Sequence, residues 1–176
     1  MYRGRVQVGG AELLMHSLDH IEHYTKAWID HLQEPTESGV SRCPYAKKAT
    51  HRHRKVYDYH SAYDYWEAVS DECDKFDGSV DVVLVAAATN NQHIDDQILG
   101  GGVDAINTFL NKKAQGLWLV FKYDHVFTII MIQKISFLDD ASRVLEDKGY
   151  YNRYNNQQME KVVYGRRRYR EKLDGV

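Results

Sequence analysis

Apolar and polar positions alternate along this chain in two distinct rhythms. The segment "ELLMHSLDHIEHYTKAWIDHLQ" (12–33) places Leu14, Leu18, Ile21, Trp28, Ile29 and Leu32 on one side at about 100° per residue, which predicts a helix. Pro35 ends it, because the residue before a proline is pushed out of the helical region. Residues 1–11 read as an arm or an edge strand. From residue 54 strands and helices alternate. "KVYDYH" (55–60) predicts a strand and "SAYDYWEAVSDECDKF" (61–76) a helix capped by Ser61. "VDVVLVAAA" (80–88) is apolar almost throughout, as a strand covered on both faces should be. A helix lies within 95–114, interrupted or hinged at the glycine run 100–102. "LWLVFKYD" (117–124) and "VFTIIMIQKI" (126–135) predict two strands reversing near Asp124-His125. "SFLDDASRVLEDKG" (136–149) predicts a short helix with Ser136 as its cap and Gly149 just past its end. A loop and a polar helix complete the chain.

From residue 55 the order is β-α-β-α-β-β-α. It predicts an α/β fold (α+β being the variant), a small mixed sheet with helices on its faces. The order resembles the thioredoxin-like fold, with an added N-terminal helix and a basic C-terminal tail; a ferredoxin-like sandwich is the alternative. Three regions follow. Residues 1–53 carry the first helix and a Cys-Pro element on or beside the core, 54–150 form the α/β core, and 151–176 form a polar basic tail.

Composition narrows this little. The formal net charge is −2, from 23 basic and 25 acidic residues, so the whole molecule does not attract nucleic acid through its net charge. No apolar run reaches the roughly 20 residues that a membrane helix needs. "MYRGRVQVGG" carries no apolar signal segment, and the expectation is a cytoplasmic protein with no membrane partner. The two cysteines, Cys43 and Cys73, then read as reduced thiols.

Cys43 opens the element "CPYAKKA" (43–49). A thiol at a helix N-terminus beside Lys47 and Lys48 would be activated by the helix dipole and by both cations. The element resembles the glutaredoxin Cys-Pro-Tyr-Cys motif, which implies thiol redox chemistry at Cys43. Ala46 stands where that motif has its second cysteine, so the resemblance implies at most a monothiol. "YTKAWIDHL", a loop and "CPYAKKA" together are also similar to an uncharacterised bacterial family with a Cys-Pro-Phe-Ala-Lys element after its first helix, related to short proteins of bacterial viruses. The competing reading is that Cys43 merely packs at a helix start.

Nine histidines is a high count for this length. His16, His20, His23 and His31 fall within an arc of about 80° on the first helix, opposite its apolar face. His16, His20 and His23, with His51 and His53 farther on, are candidate ligands for Zn or Fe, and a set of Cys43, His51, His53 and Cys73 has suitable ligand types. The plainer reading is a solvated helix face. Asp19 and Glu22 are expected to raise the pKa values of the helix histidines.

Two further places could bind. Thr89, Asn90, Asn91 and His93 follow the most apolar strand, where open α/β sheets gather polar ligands, although such residues also simply make turns. In the tail, Arg166, Arg167, Arg168 and Arg170 interleave with Tyr164 and Tyr169, a pattern that could grip phosphates and stack on bases or dock onto a partner copy. No hydrolase elbow, kinase element or paired-carboxylate motif is present. The expectation is therefore a noncatalytic binding or assembly protein that meets a protein or nucleic-acid partner. The alternatives are a thiol-dependent enzyme using Cys43 and a metal-binding protein using the histidine helix.

Overall fold

The computed structural model describes residues 5–8, 11–14, 18–35, 39, 43, 45–46, 48–57, 61–88, 96–113, 115–123 and 127–175. Strands β1 (Arg5–Val8) and β2 (Ala11–Leu14) pair antiparallel, Val8 opposite Ala11. Residues 12–14 are thus strand and not the first turns of the helix. The signal was the Gly9-Gly10 pair, which separates two short runs in the way a hairpin does. A single turn of 3-10 helix at Leu18–His20 leads into α1 (Ile21–Gln33). Then follow β3 (His51–Val56), α2 (Ala62–Asp74), β4 (Val82–Ala88), α3 (Asp96–Lys113), β5 (Leu117–Tyr123), β6 (Phe127–Lys134) and α4 (Ile135–Asp147). The chain closes with α5 (Asn156–Met159), a π-helical turn at Glu160–Tyr164 and α6 (Gly165–Asp174). The α/β class and the element order agree with the sequence pattern.

The four-stranded sheet runs β3-β4-β6-β5. β3 and β4 are parallel, joined through α2, and the β5–β6 pair is antiparallel. β4 sits inside and is covered on both faces, which its apolar run requires. Alternation along each strand then sorts side chains into two layers. Val83, Val85, Leu119, Ile130 and Ile132 face α2 and α3, meeting Tyr65, Val69, Leu99, Val103 and Leu110. Val82, Leu84, Ala86, Phe127 and Ile129 face the other way, against Leu18, Ile21 and Tyr24. The first helix therefore lies on the sheet. Three polar contacts lash it to the edge strand region: Lys55 to Glu22 at 2.8 Å, Tyr57 OH to Asp19 at 2.8 Å, and His53 to Thr25 at 3.0 Å.

Local signals set several boundaries. The Ser61 N–H donates to Asp64 Oδ2 at 3.1 Å, the backward half of a capping box, as the sequence led us to expect. Gly149 adopts φ +72°, the left-handed conformation that ends α4. Two expectations need correction. α4 begins at Ile135, after Lys134, so Ser136 lies inside the helix and does not cap it. The glycine run 100–102 lies within the continuous helix Asp96–Lys113 and makes no hinge. Its reason is a close approach, since a Cβ on Gly102 would run into the Trp66 indole of α2.

The tail is part of the body. Met159 and Val163 bury against Leu145 and Tyr151. Tyr169 is 1% exposed; its hydroxyl donates to Leu110 O at 2.9 Å and accepts the Gly116 N–H at 3.0 Å. Among the described residues no helix is long and apolar enough to cross a membrane.

Candidate functional site

The α1 face of the sheet is not filled to its end. Where Leu18, Ile21 and Tyr24 stop, the last turns of α1 overhang a cavity of about 220 Å³. Trp28, Ile29 and Leu32 roof it. Val82, Leu84, Val120 and Met131 form its floor, because these positions share one phase of the strand alternation. Phe137 and Leu138 close it from α4, and Ala46 and Ala49 from the loop after Cys43. Its polar lining is Thr25, Cys43, His51 and Gln133.

The backbone that carries Cys43 and His51 is held in place. The Cys43 N–H donates to Leu32 O at 3.0 Å and Gln33 Nε2 donates to Cys43 O at 3.2 Å, so the loop is pinned to the end of α1. Tyr45 meets the Phe137 ring edge-on with centroids 5.8 Å apart. No helix follows Cys43 among the described residues: the backbone makes turns, with Lys48 N and Ala49 N bonded to Tyr45 O, and then enters β3. The dipole argument for an activated thiol therefore has no helix to rest on. Thr50 latches the start of β3, its N–H and hydroxyl donating to Asp81 Oδ2 at 2.9 and 2.8 Å. The same bonds hold the Asp81 carboxyl below its usual range. That latch sets His51 beside Val82 at the rim of the cavity.

β3 begins at His51, earlier than the sequence pattern indicated, because residues 51–54 pair with β4 despite their polarity. His51 and His53, two apart in a strand, share a face, their rings edge-on at 5.4 Å. Burial, then the neighbouring His51, pushes the His53 pKa down. Cys73 is buried on α2, across the sheet from both histidines, so the four-ligand set with Cys43 cannot assemble. Burial drives its thiol up to about 12, with Asp74 and Glu72 adding to the shift. Both cysteines are free thiols. His20 and His23 point to solvent, and His31 bonds to Glu34 at 2.9 Å. Asp19 accepts the Tyr57 hydroxyl, and Glu22 pairs with Lys55. Among the described residues no three His, Cys, Asp or Glu side chains converge on a point. His16, Thr89, Asn90, Asn91 and His93 lie outside the described residues.

The tail arginines are engaged within the molecule. Asp139, with a wholly buried side chain, receives Arg143 at 3.2 Å, Arg167 at 3.2 Å and Arg170 at 3.1 Å. Arg167 also reaches Glu146, Arg170 reaches Asp140, and Arg168 pairs with Glu160. Arg166 is 4% exposed and donates to Ser142 Oγ and Leu138 O. Of the residues expected to grip a nucleic acid, Arg166 and Tyr169 are interior, and only Tyr164 and Arg168 stand well exposed. The pattern was visible as charge and was built as a clasp between α6 and α4.

Sequence reasoning missed the cavity and its one buried amide, Gln133. The signal was available: Phe127, Ile129 and Met131 hold one phase of β6, and Gln133 is the next residue in that phase. No protein family, no curated protein and no solved structure matches the chain, so the cavity itself is the basis for a functional reading.

Proposed function

We propose that the protein is a noncatalytic binding protein that holds a small, largely apolar molecule beneath the last turns of α1. The observation that carries this is the cavity of about 220 Å³, floored by Val82, Leu84, Val120 and Met131 and roofed by Trp28, Ile29 and Leu32. A natural core packs densely and leaves few voids larger than a water molecule. An apolar cavity of about 150 Å³ stays dry and takes up benzene. Here the pocket, partly open to solvent, lies between a helix, a loop and the sheet, each held by its own contacts. Cys43 and His51 at its wall offer weak polar contacts. Among the described residues neither has an orienting carboxylate, so these give no catalytic set.

Thermal denaturation with increasing toluene tests the reading. A ligand held only by the native state, at 100 times its dissociation constant, stabilises by about 2.7 kcal/mol, which for a chain of this size raises Tm by roughly 5–10 °C. Ala46→Phe, which places a ring into the cavity from the loop, should keep a cooperative transition and lose the response. No rise in Tm with saturating toluene, or an equal rise in Ala46→Phe, would count against the proposal.

A further inference from the structure

Resting on that reading, we infer that the molecule held in the cavity is uncharged and carries one hydrogen-bonding group, a hydroxyl, carbonyl or amide, that meets Gln133. The sheet register sets Gln133 between Val82 on one side and Trp118 on the other. It is 7% exposed and lines the cavity. Among the described residues its amide makes no hydrogen bond to another side chain or to the backbone. An amide that has no protein partner yet still reaches open space is hydrogen-bonded there by water or by a ligand, because polar side chains in largely buried residues nearly always find a partner. The amide is not sealed from solvent, and the open space that Gln133 lines is the cavity.

The rest of the lining selects the partner. Among the described residues it contains no Lys, Arg, Asp or Glu, so a carboxylate or ammonium would meet no counter-charge from them and would lose its hydration. A primary amide is neutral and both donates and accepts, so it matches a hydroxyl, a carbonyl or another amide equally well. Size sets the body: the void exceeds the roughly 150 Å³ that holds benzene, leaving room for one ring and a small polar substituent. Simple phenols and aromatic alcohols or amides have this shape and chemistry.

Phenol and toluene, nearly equal in size, separate the two claims. Their dissociation constants are measured by NMR titration for the native chain and for Gln133→Leu, which keeps the volume and removes the amide. We expect the ratio of toluene affinity to phenol affinity to rise about tenfold in Gln133→Leu, the loss of one hydrogen bond, while toluene binding is retained. Benzoate should bind the native chain more weakly than phenol. An unchanged ratio overturns the assignment of Gln133 even though the cavity binds. Failure of the native chain to bind either compound overturns the cavity reading, and this inference with it.

Discussion

Asp139 shows how much of this protein depends on single side chains. Its carboxylate is fully buried, and burial alone would raise its pKa; hydrogen bonds from Arg167 and Arg143 reverse that and hold it below the usual range. Removing one member of a buried ion pair costs about 3–5 kcal/mol. The three guanidiniums here reach water to different degrees, so Asp139→Asn should cost about 3 kcal/mol, read from the urea midpoint. The pH dependence follows from the direction of the shift. A folded pKa below the unfolded value of about 3.9 gives stability that is complete above that value and is lost as pH falls through the folded pKa. Asp139→Asn should therefore flatten the loss of stability below about pH 4. An unaltered acid profile would show that the cluster contributes nothing there. None of this was legible in "GRRRYREK", because a run of arginines looks the same whether its carboxylates belong to the same molecule or to a partner. Gln133 was legible in phase but not in surroundings.

Elements were read well where the pattern was long and poorly where it was short. β4, α2 and the β5–β6 pair have strong periods and were predicted close to their observed bounds. β2 was absorbed into α1, since four residues of "AELL" fit a helix as easily as a strand and only pairing with β1 decides between them. The glycine run makes the same point about packing. Propensity predicts a weak place in α3, yet the helix is continuous because Trp66 occupies the space beside Gly102. Two substitutions separate the effects. At Gly101 a Cβ meets open space, so Gly101→Ala should stabilise by up to about 1 kcal/mol through helix propensity. Gly102→Ala gains the same propensity and must displace an indole, for a net loss of about 1–2 kcal/mol. Thermal denaturation measures both, and equal changes in the two variants would refute the close-approach argument. α3 also guards the sheet. On β5, an edge strand, Leu119 N–H donates to Asn107 Oδ1 at 2.8 Å, and Leu119 O accepts Asn107 Nδ2 at 2.9 Å. A buried side chain thus occupies the place of a neighbouring strand. On the other edge, β3 carries "HRHRKV", whose charges discourage pairing.

At the scale of the whole molecule, the two faces of the sheet have different fates. The face toward α2 and α3 is packed; the face toward α1 is packed under Leu18, Ile21 and Tyr24 and open beneath the last turns of α1. The tail stabilises that arrangement through Tyr169, which bonds the end of α3 and the start of the β5 region and lies 6.3 Å from the Trp118 ring. Deleting residues 156–176 should therefore abolish the cooperative unfolding transition. A truncated chain that kept the native transition would return the tail to the status of an appendage. By itself, the sequence determined the α/β class, the order of elements after residue 55 and the two apolar phases of the central strands. Those follow from periodicity, which local sterics and burial impose on any chain. Only the tertiary structure decided that the arginines clasp α4, that Cys73 and the histidines stand on opposite faces, and that Cys43, His51 and Gln133 line one cavity. Each of these brings together residues distant along the chain, and the strand order and register that set such meetings leave no periodic trace in the sequence.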